Sequence, residues 1–231
     1  MNHLVLLRHG QSFWNKERRF TGWADIDLTT EGKQEAKQSG KLIKELNIEF
    51  DACFTSELKR ASNTLQIVLD VLKKSNVPIT KTNLLNERMY GNLTGLNKDD
   101  VMKKYGKKQV KIWRRSFDIP PPKIDENNPY KKKINTKILS ESLKDTFERV
   151  VPFYQKKVGP LIKSKKNILM VFHGNSIRAL LMELFNISKK NIVNFEIPTG
   201  NPLLIRFTQD NQIKDYKYLD RKRAKKILFN I

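Results

Sequence analysis

Apolar residues recur along this chain at two spacings, and the switches between them mark out the elements. Residues 3–7 and Ile168–Phe172 are short unbroken apolar runs, as expected for strands buried on both faces. From Thr29 and Thr30 onward, Ala36, Ser39, Ile43 and Leu46 fall on one helical stripe, with the threonines placed to cap it. A strand over 51–54 precedes the clearest helix, striped by Leu58, Ala61, Leu65, Val68 and Leu72. A short strand is expected around 78–82, then two short helices over 97–117 bearing Val101, Tyr105, Val110 and Trp113. Between 116 and 139 the pattern lapses, and consecutive prolines, paired asparagines and a lysine run predict an irregular loop. Helical character returns over 142–162, where Pro152 and Pro160 should bend or interrupt it. Ile177, Leu180, Leu181 and Leu184 stripe a last helix, and strands over 203–207 and 213–219 follow.

Strands alternating with helices, without an internal repeat, predict a three-layer α/β/α fold. Its central sheet should be mostly parallel, with helices on both faces. A chain of 231 residues with 39% hydrophobic content suits one domain over 1–231, ending in a short basic tail at 220–231. No apolar run approaches the ~20 residues that cross a bilayer, and the first residues do not read as a targeting leader. No membrane partner is expected. Cys53 is the only cysteine, so no internal disulfide can form and a reducing, cytoplasmic setting is the simpler one.

The formal charge of +21 adds a question rather than an answer. It could draw in a polyanion or a small phosphorylated ligand. Lys, Asn and Ile are abundant throughout, however, and Lys131-Lys132-Lys133 and Arg221-Lys222-Arg223 lie among loop-like residues, where solvated surface is the plainer expectation. Binding to nucleic acid would need a continuous basic face with interleaved aromatics, and no recognition motif supports it, so nucleic acid is not an expected partner.

Candidate chemistry sits at two strand ends. His9 and His173 each follow an apolar run, each precedes a glycine, and each has a helix downstream. Ligands of open α/β sheets bind beyond the carboxyl ends of strands, where free N–H groups at helix starts favour anions. Arg8 adds a guanidinium suited to bidentate phosphate binding. Two imidazoles and a guanidinium around one anion suit phosphoryl transfer to nitrogen. Either histidine alone would more often just satisfy a backbone carbonyl; the matched pair is the stronger signal. No HExxH pairing or ligand-spaced cluster points to a metal, and none is expected.

The segment Leu6-Leu7-Arg8-His9-Gly10-Gln11-Ser12, then Trp14-Asn15-Lys16 and Phe20-Thr21-Gly22-Trp23, resembles the histidine phosphatase superfamily and, within it, the cofactor-dependent phosphoglycerate mutases. The likeness continues in order through Thr55-Ser56-Glu57-Leu58-Lys59-Arg60-Ala61, Leu85-Asn86-Glu87-Arg88-Met89-Tyr90-Gly91, Gly95-Leu96-Asn97-Lys98 and Trp113-Arg114-Arg115. It ends with Ser140-Glu141-Ser142-Leu143, His173-Gly174-Asn175-Ser176-Ile177-Arg178 and Ile197-Pro198-Thr199-Gly200. The resemblance implies that His9 becomes phosphorylated, that Arg8, Arg60 and His173 surround the transferred group, and that Glu87 is the general acid/base. It implies a substrate-binding set of Arg8, Ser12, Asn15, Thr21, Gly22, Arg60, Glu87, Arg88, Met89, Tyr90, Lys98, Arg114, Arg115, Gly174 and Asn175. It also implies 2,3-bisphosphoglycerate as priming phosphoryl donor, a small phosphorylated substrate, and a homo-oligomer, dimeric or tetrameric. Position 11 is Gln where many mutases carry Glu, and the tail departs from the small-residue tail that helps close the site in the family. A poor lid would let water intercept the phosphorylated imidazole, so a phosphatase of the same superfamily is the alternative.

Overall fold

The computed structural model describes residues 2–134 and 136–224. Its central sheet has six strands: β1 (His3–Arg8), β2 (Ala52–Thr55), β3 (Ile79–Lys81), β4 (Ile168–Phe172), β5 (Leu203–Phe207) and β6 (Ile213–Tyr218). Their order is β3-β2-β4-β1-β5-β6. The pairings β2 with β3, β2 with β4 and β1 with β4 are parallel, while β5 runs antiparallel to β1 and to β6. The expected mostly parallel sheet is present, with an antiparallel pair at one edge.

Eight α-helices accompany the sheet among the described residues: α1 (Phe13–Lys16), α2 (Thr30–Lys44), α3 (Lys59–Leu72), α4 (Lys98–Tyr105), α5 (Lys107–Arg115), α6 (Leu143–Phe153), α7 (Gly159–Lys163) and α8 (Gly174–Phe185). The period-two alternation of the strands divides the core. Leu4, Leu6, Phe54, Ile168, Met170 and Phe172 face α6 and α8, and Val5, Leu7, Cys53, Leu169 and Val171 face α2 and α3. Burying both faces is what makes the strands read as continuous apolar runs.

Local signals act where expected. Thr29 caps α2 by accepting from the Gly32 N–H. Gly106, at φ +80°, turns the chain between α4 and α5. Pro152 stays inside α6, and the interruption falls just after it, in a π-type turn at Tyr154–Val158. Pro160 then occupies the first turn of α7, where a missing N–H costs little.

The irregular stretch after α5 contains a single short 3-10 turn, Lys131–Lys133, yet it is packed. Ile124 and Ile134 bury against Met89, and Tyr130 lies so close to Gly95 that any side chain there would overlap its ring. No described helix is long and apolar enough to cross a membrane. Of the basic tail, 220–224 is described and 225–231 lies outside the described residues.

Candidate active site

Adjacent parallel strands bring the two histidines together. Arg8 on β1 pairs in register with Phe172 on β4, so the next residues, His9 and His173, leave the sheet side by side. Their ring centroids are 5.0 Å apart at 62°, and they are 2% and 0% exposed. The turn after His9 packs directly on the first turn of α2. A side chain at Gly10 would strike the Gly32 carbonyl, and one at Gly32 would strike that of Gln11. At Gly174 a Cβ would make only ordinary contact with the Arg8 guanidinium, so its glycine is not required by crowding against the protein.

Hydrogen bonds set the tautomers. His9 Nδ1 lies 2.7 Å from the Gly10 carbonyl, which can only accept, so Nδ1 carries the proton and Nε2 keeps its lone pair. Arg60 Nε donates toward that Nε2 from 3.3 Å. His173 Nε2 lies 2.7 Å from Ser56 Oγ. With the hydroxyl donating, His173 Nδ1 carries the proton, and this buried Nδ1 has no partner among the described residues. Arg60 is 1% exposed and fastened by donation to the Ala24 and Gly22 carbonyls at 2.9 and 2.8 Å. Arg8 donates to the Ile197 carbonyl at 2.7 Å, which leaves its buried Nε uncommitted.

These surroundings keep both imidazoles neutral. Burial, then the charges of Arg60 and Arg8, hold His9 well below its ordinary value, with the Gly10 carbonyl pulling weakly the other way. Burial and Arg60 do the same to His173. In the unfolded chain both bind protons as pH falls through 6.5, while the folded chain does not, so acid favours unfolding. Stability is therefore expected to drop by about 3 kcal/mol from these two groups between about pH 7.5 and 5.5. Urea unfolding across that window measures it, and a level stability would contradict the neutral pair.

Glu87 stands across the cavity. Its Oε1 accepts from the backbone N–H groups of Arg88 at 2.9 Å and Asn175 at 3.1 Å. The first turn of α8 thus holds the carboxylate with an amide and the positive end of the helix dipole. Asn175 also donates to the Tyr90 hydroxyl at 3.1 Å and accepts from Arg178. Burial pushes the Tyr90 phenol up, but Arg88 and Arg114 outweigh it and bring it down to about 8.

The cavity, about 320 Å³, is lined by Arg8, Arg19, Arg60, Lys98, Arg114, Arg115, Arg178 and Arg223 against the carboxylates Glu87 and Glu196. Its wall also includes His9, Asn15, Thr21, Gly22, Tyr90, Gly174 and Asn175, so most of the residues singled out from sequence meet here. Four do not reach the wall. Ser12 is buried as the N-cap of α1, accepting from the Asn15 N–H. Met89 belongs to the cluster under the irregular loop. Arg88 lies behind Tyr90, its guanidinium 4.8 Å from that ring and donating to the Arg114 carbonyl. His173 is likewise outside the wall, its ring set edge-on beside that of His9.

Arg19, Phe20, Arg178, Glu196, Ile197, Pro198 and Arg223 join the wall without having been singled out. Arg178 could have been found: it is the one cation inside the apolar stripe of α8, one turn beyond Gly174. Burial, followed by Arg115 and Arg88, lowers its guanidinium to about 9. Arg221 and Lys222 are exposed, as expected of solvated surface, but Arg223 is also tied to the fold. Although 36% exposed, its side chain bonds Glu35 at 2.9 Å and the Thr199 carbonyl at 2.6 Å, and it borders the cavity.

The family profile of the histidine phosphatase superfamily (branch 1) matches residues 4–217. A protein of Pelagibacter ubique is 47% identical over 238 aligned positions covering 99% of both chains, and one of Caulobacter sp. strain K31 is 48% identical, covering 96% of both. Each of these is named 2,3-bisphosphoglycerate-dependent phosphoglycerate mutase. Among solved structures, the alpha-ribazole phosphatase of Shigella flexneri superposes with a TM-score of 0.67 at 24% identity, over 90% of this chain and 92% of that one. At that distance the likeness concerns the fold alone.

Proposed function

The chain belongs to the histidine phosphatase superfamily, and from that premise we propose that it interconverts 3-phosphoglycerate and 2-phosphoglycerate through a phosphorylated His9. The observation that carries the assignment of His9 is its bare Nε2, facing a guanidinium N–H in a cavity with eight cations. The full-length likeness to enzymes named as mutases supports the substrate.

The donor set fits a bisphosphorylated acid. Arg8 Nε, His173 Nδ1 and Thr21 Oγ1 are buried without partners among the described residues, and the lining cations outnumber the carboxylates. When bound, 2,3-bisphosphoglycerate supplies the priming phosphoryl group. On priming, His9 Nε2 would attack phosphorus as the P–O bond breaks and the glycerate oxygen leaves with a proton from the Glu87 carboxyl, and the resulting ring cation would keep its Nδ1–H on the Gly10 carbonyl. Arg8 and Arg60 neutralise the equatorial oxygens in the transition state, and the neutral His173 offers them its Nδ1–H. Glu87 takes the proton from the 2-hydroxyl of 3-phosphoglycerate as the new O–P bond forms and the Nε2–P bond breaks. His9 then accepts the 3-phosphoryl group, and Glu87 returns its proton to the oxygen left behind. Lys98, Tyr90, Arg114 and Arg115 hold the far anionic end, where several like charges must be matched. No step calls on a metal. The chain is read as cytoplasmic, in keeping with its lone Cys53, and as a homo-oligomer, as the resemblance implies.

Turnover of 3-phosphoglycerate, followed with and without trace 2,3-bisphosphoglycerate alongside released phosphate, tests the reading. Conversion to 2-phosphoglycerate should depend on priming and far exceed phosphate release. Phosphate appearing as fast as 2-phosphoglycerate would make the protein a phosphatase instead.

A further inference from the structure

Glu87 hangs on a short segment without regular structure, between a 3-10 turn ending at Leu85 and another beginning at Gly91. Its carboxylate is aimed by two amides, but something must also fix the backbone it grows from. Two side chains converge on the Glu87 carbonyl: Trp23 Nε1 donates at 2.5 Å and Arg149 Nη2 at 3.1 Å. Arg149, from α6, also donates to the Leu84 carbonyl at 2.8 Å. The same guanidinium grips Glu141 in a two-point bridge, Nε to Oε1 at 2.7 Å and Nη2 to Oε2 at 2.9 Å, with side chains only 11% and 3% exposed. Glu141 Oε2 in turn accepts from the Met89 N–H at 2.8 Å. One buried ion pair thus holds the chain before, at and after Glu87, at residues 84, 87 and 89.

A buried pair of this kind gives little net stability, because desolvating two charges offsets their attraction. What it does give is position: a planar fork fixes direction as well as distance. Neither residue borders the cavity.

We propose that Glu141 and Arg149 are positioning residues that set the reach of the Glu87 carboxylate toward the substrate hydroxyl. The proposal rests on the reading of Glu87 as the proton-exchanging group. It separates two half-reactions that share His9. Transfer to the 2-hydroxyl needs Glu87 to take a proton. Phosphorylation of His9 by 4-nitrophenyl phosphate does not: the Nε2–P bond forms, the P–O bond breaks, and 4-nitrophenolate leaves with the electron pair unprotonated.

The test uses the full chain and four variants, Glu87→Gln, Arg149→Lys, Glu141→Gln and the double Glu141→Leu/Arg149→Met. The double variant leaves no unpaired charge in the interior and so keeps the test open if a single variant folds poorly. Arg149→Lys retains the charge near His173 while losing the fork. For all four, kcat with 3-phosphoglycerate should fall by about 10²-fold, as misplacement of about 1 Å commonly produces. For the three pair variants KM should change little and labelling of His9 by 4-nitrophenyl phosphate should stay within about threefold of the parent, while in Glu87→Gln labelling should fall far less than turnover. Equal losses in both assays would reduce the pair to a structural role and overturn the proposal. So would a split in Glu87→Gln with none in the pair variants. If Glu87→Gln itself shows no split, the reading of Glu87 fails and the proposal falls with it, a result distinct from the other two.

Discussion

His9→Ala is expected to abolish labelling of the protein by phosphoryl donors and to lower mutase turnover by at least about 10⁴-fold, the scale on which removing a nucleophile acts. Among the described residues, neither His173 nor Cys53 can take over. His173 is buried beside it, but its Nε2 faces the Ser56 hydroxyl and its Nδ1 carries the proton, so it offers no free lone pair. The Cys53 thiol sits in the sheet interior, where burial pushes it up to about 12. Acid-labile, base-stable label measured after brief exposure to donor reads the result. Retained labelling in the variant would remove His9 from the centre of the chemistry.

Arg60→Met should produce the second largest effect, about a 10²–10³-fold fall in kcat/KM together with a stability loss of about 2–5 kcal/mol. The two losses have separate causes. Catalysis loses the donor that faces Nε2, where charge accumulates on the transferring group. Stability falls because the Gly22 and Ala24 carbonyls lose their donor in a buried setting. A third consequence has a definite sign. The Arg60 charge helps depress His9, so its removal lets the imidazole bind a proton at higher pH. The acid limb of kcat/KM should therefore move upward in the variant. Burial of Arg60 itself, which lowers its guanidinium to about 10, leaves it charged throughout that range. A variant with normal kcat/KM and an unmoved acid limb would deny Arg60 any part at Nε2.

The elements of the core were legible because each obeys one period. Residues 4–7 and Ile168–Phe172 are apolar without interruption, since opposite faces of one sheet each meet helices, and α3 buries the stripe read from its spacing. The division of 97–117 into two short helices and the cap at Thr29 were readable for the same reason: they depend on neighbours within a few residues. The π-type turn at Tyr154–Val158 was not, because two prolines fix only where hydrogen bonds are missing. Nor was the burial of Ser12, Arg88 and Met89 legible. The family pattern places all three beside the site in sequence, but a capping bond, a stacked phenol and an apolar cluster turn them away from the cavity.

By itself the sequence determined the sheet-and-helix order, the pairing of two strand-end histidines with a nearby arginine, and the family those motifs belong to. These rest on local periodicity and on residue chemistry, which a linear string carries in full. Only the tertiary structure decided that His9 presents Nε2 to Arg60, that Arg178 and Arg223 join the wall, and that Arg149 and Glu141 grip the segment bearing Glu87. Each of these joins residues far apart in sequence through directional hydrogen bonds. Direction is a property of packed three-dimensional neighbours, and no spacing along the chain encodes it.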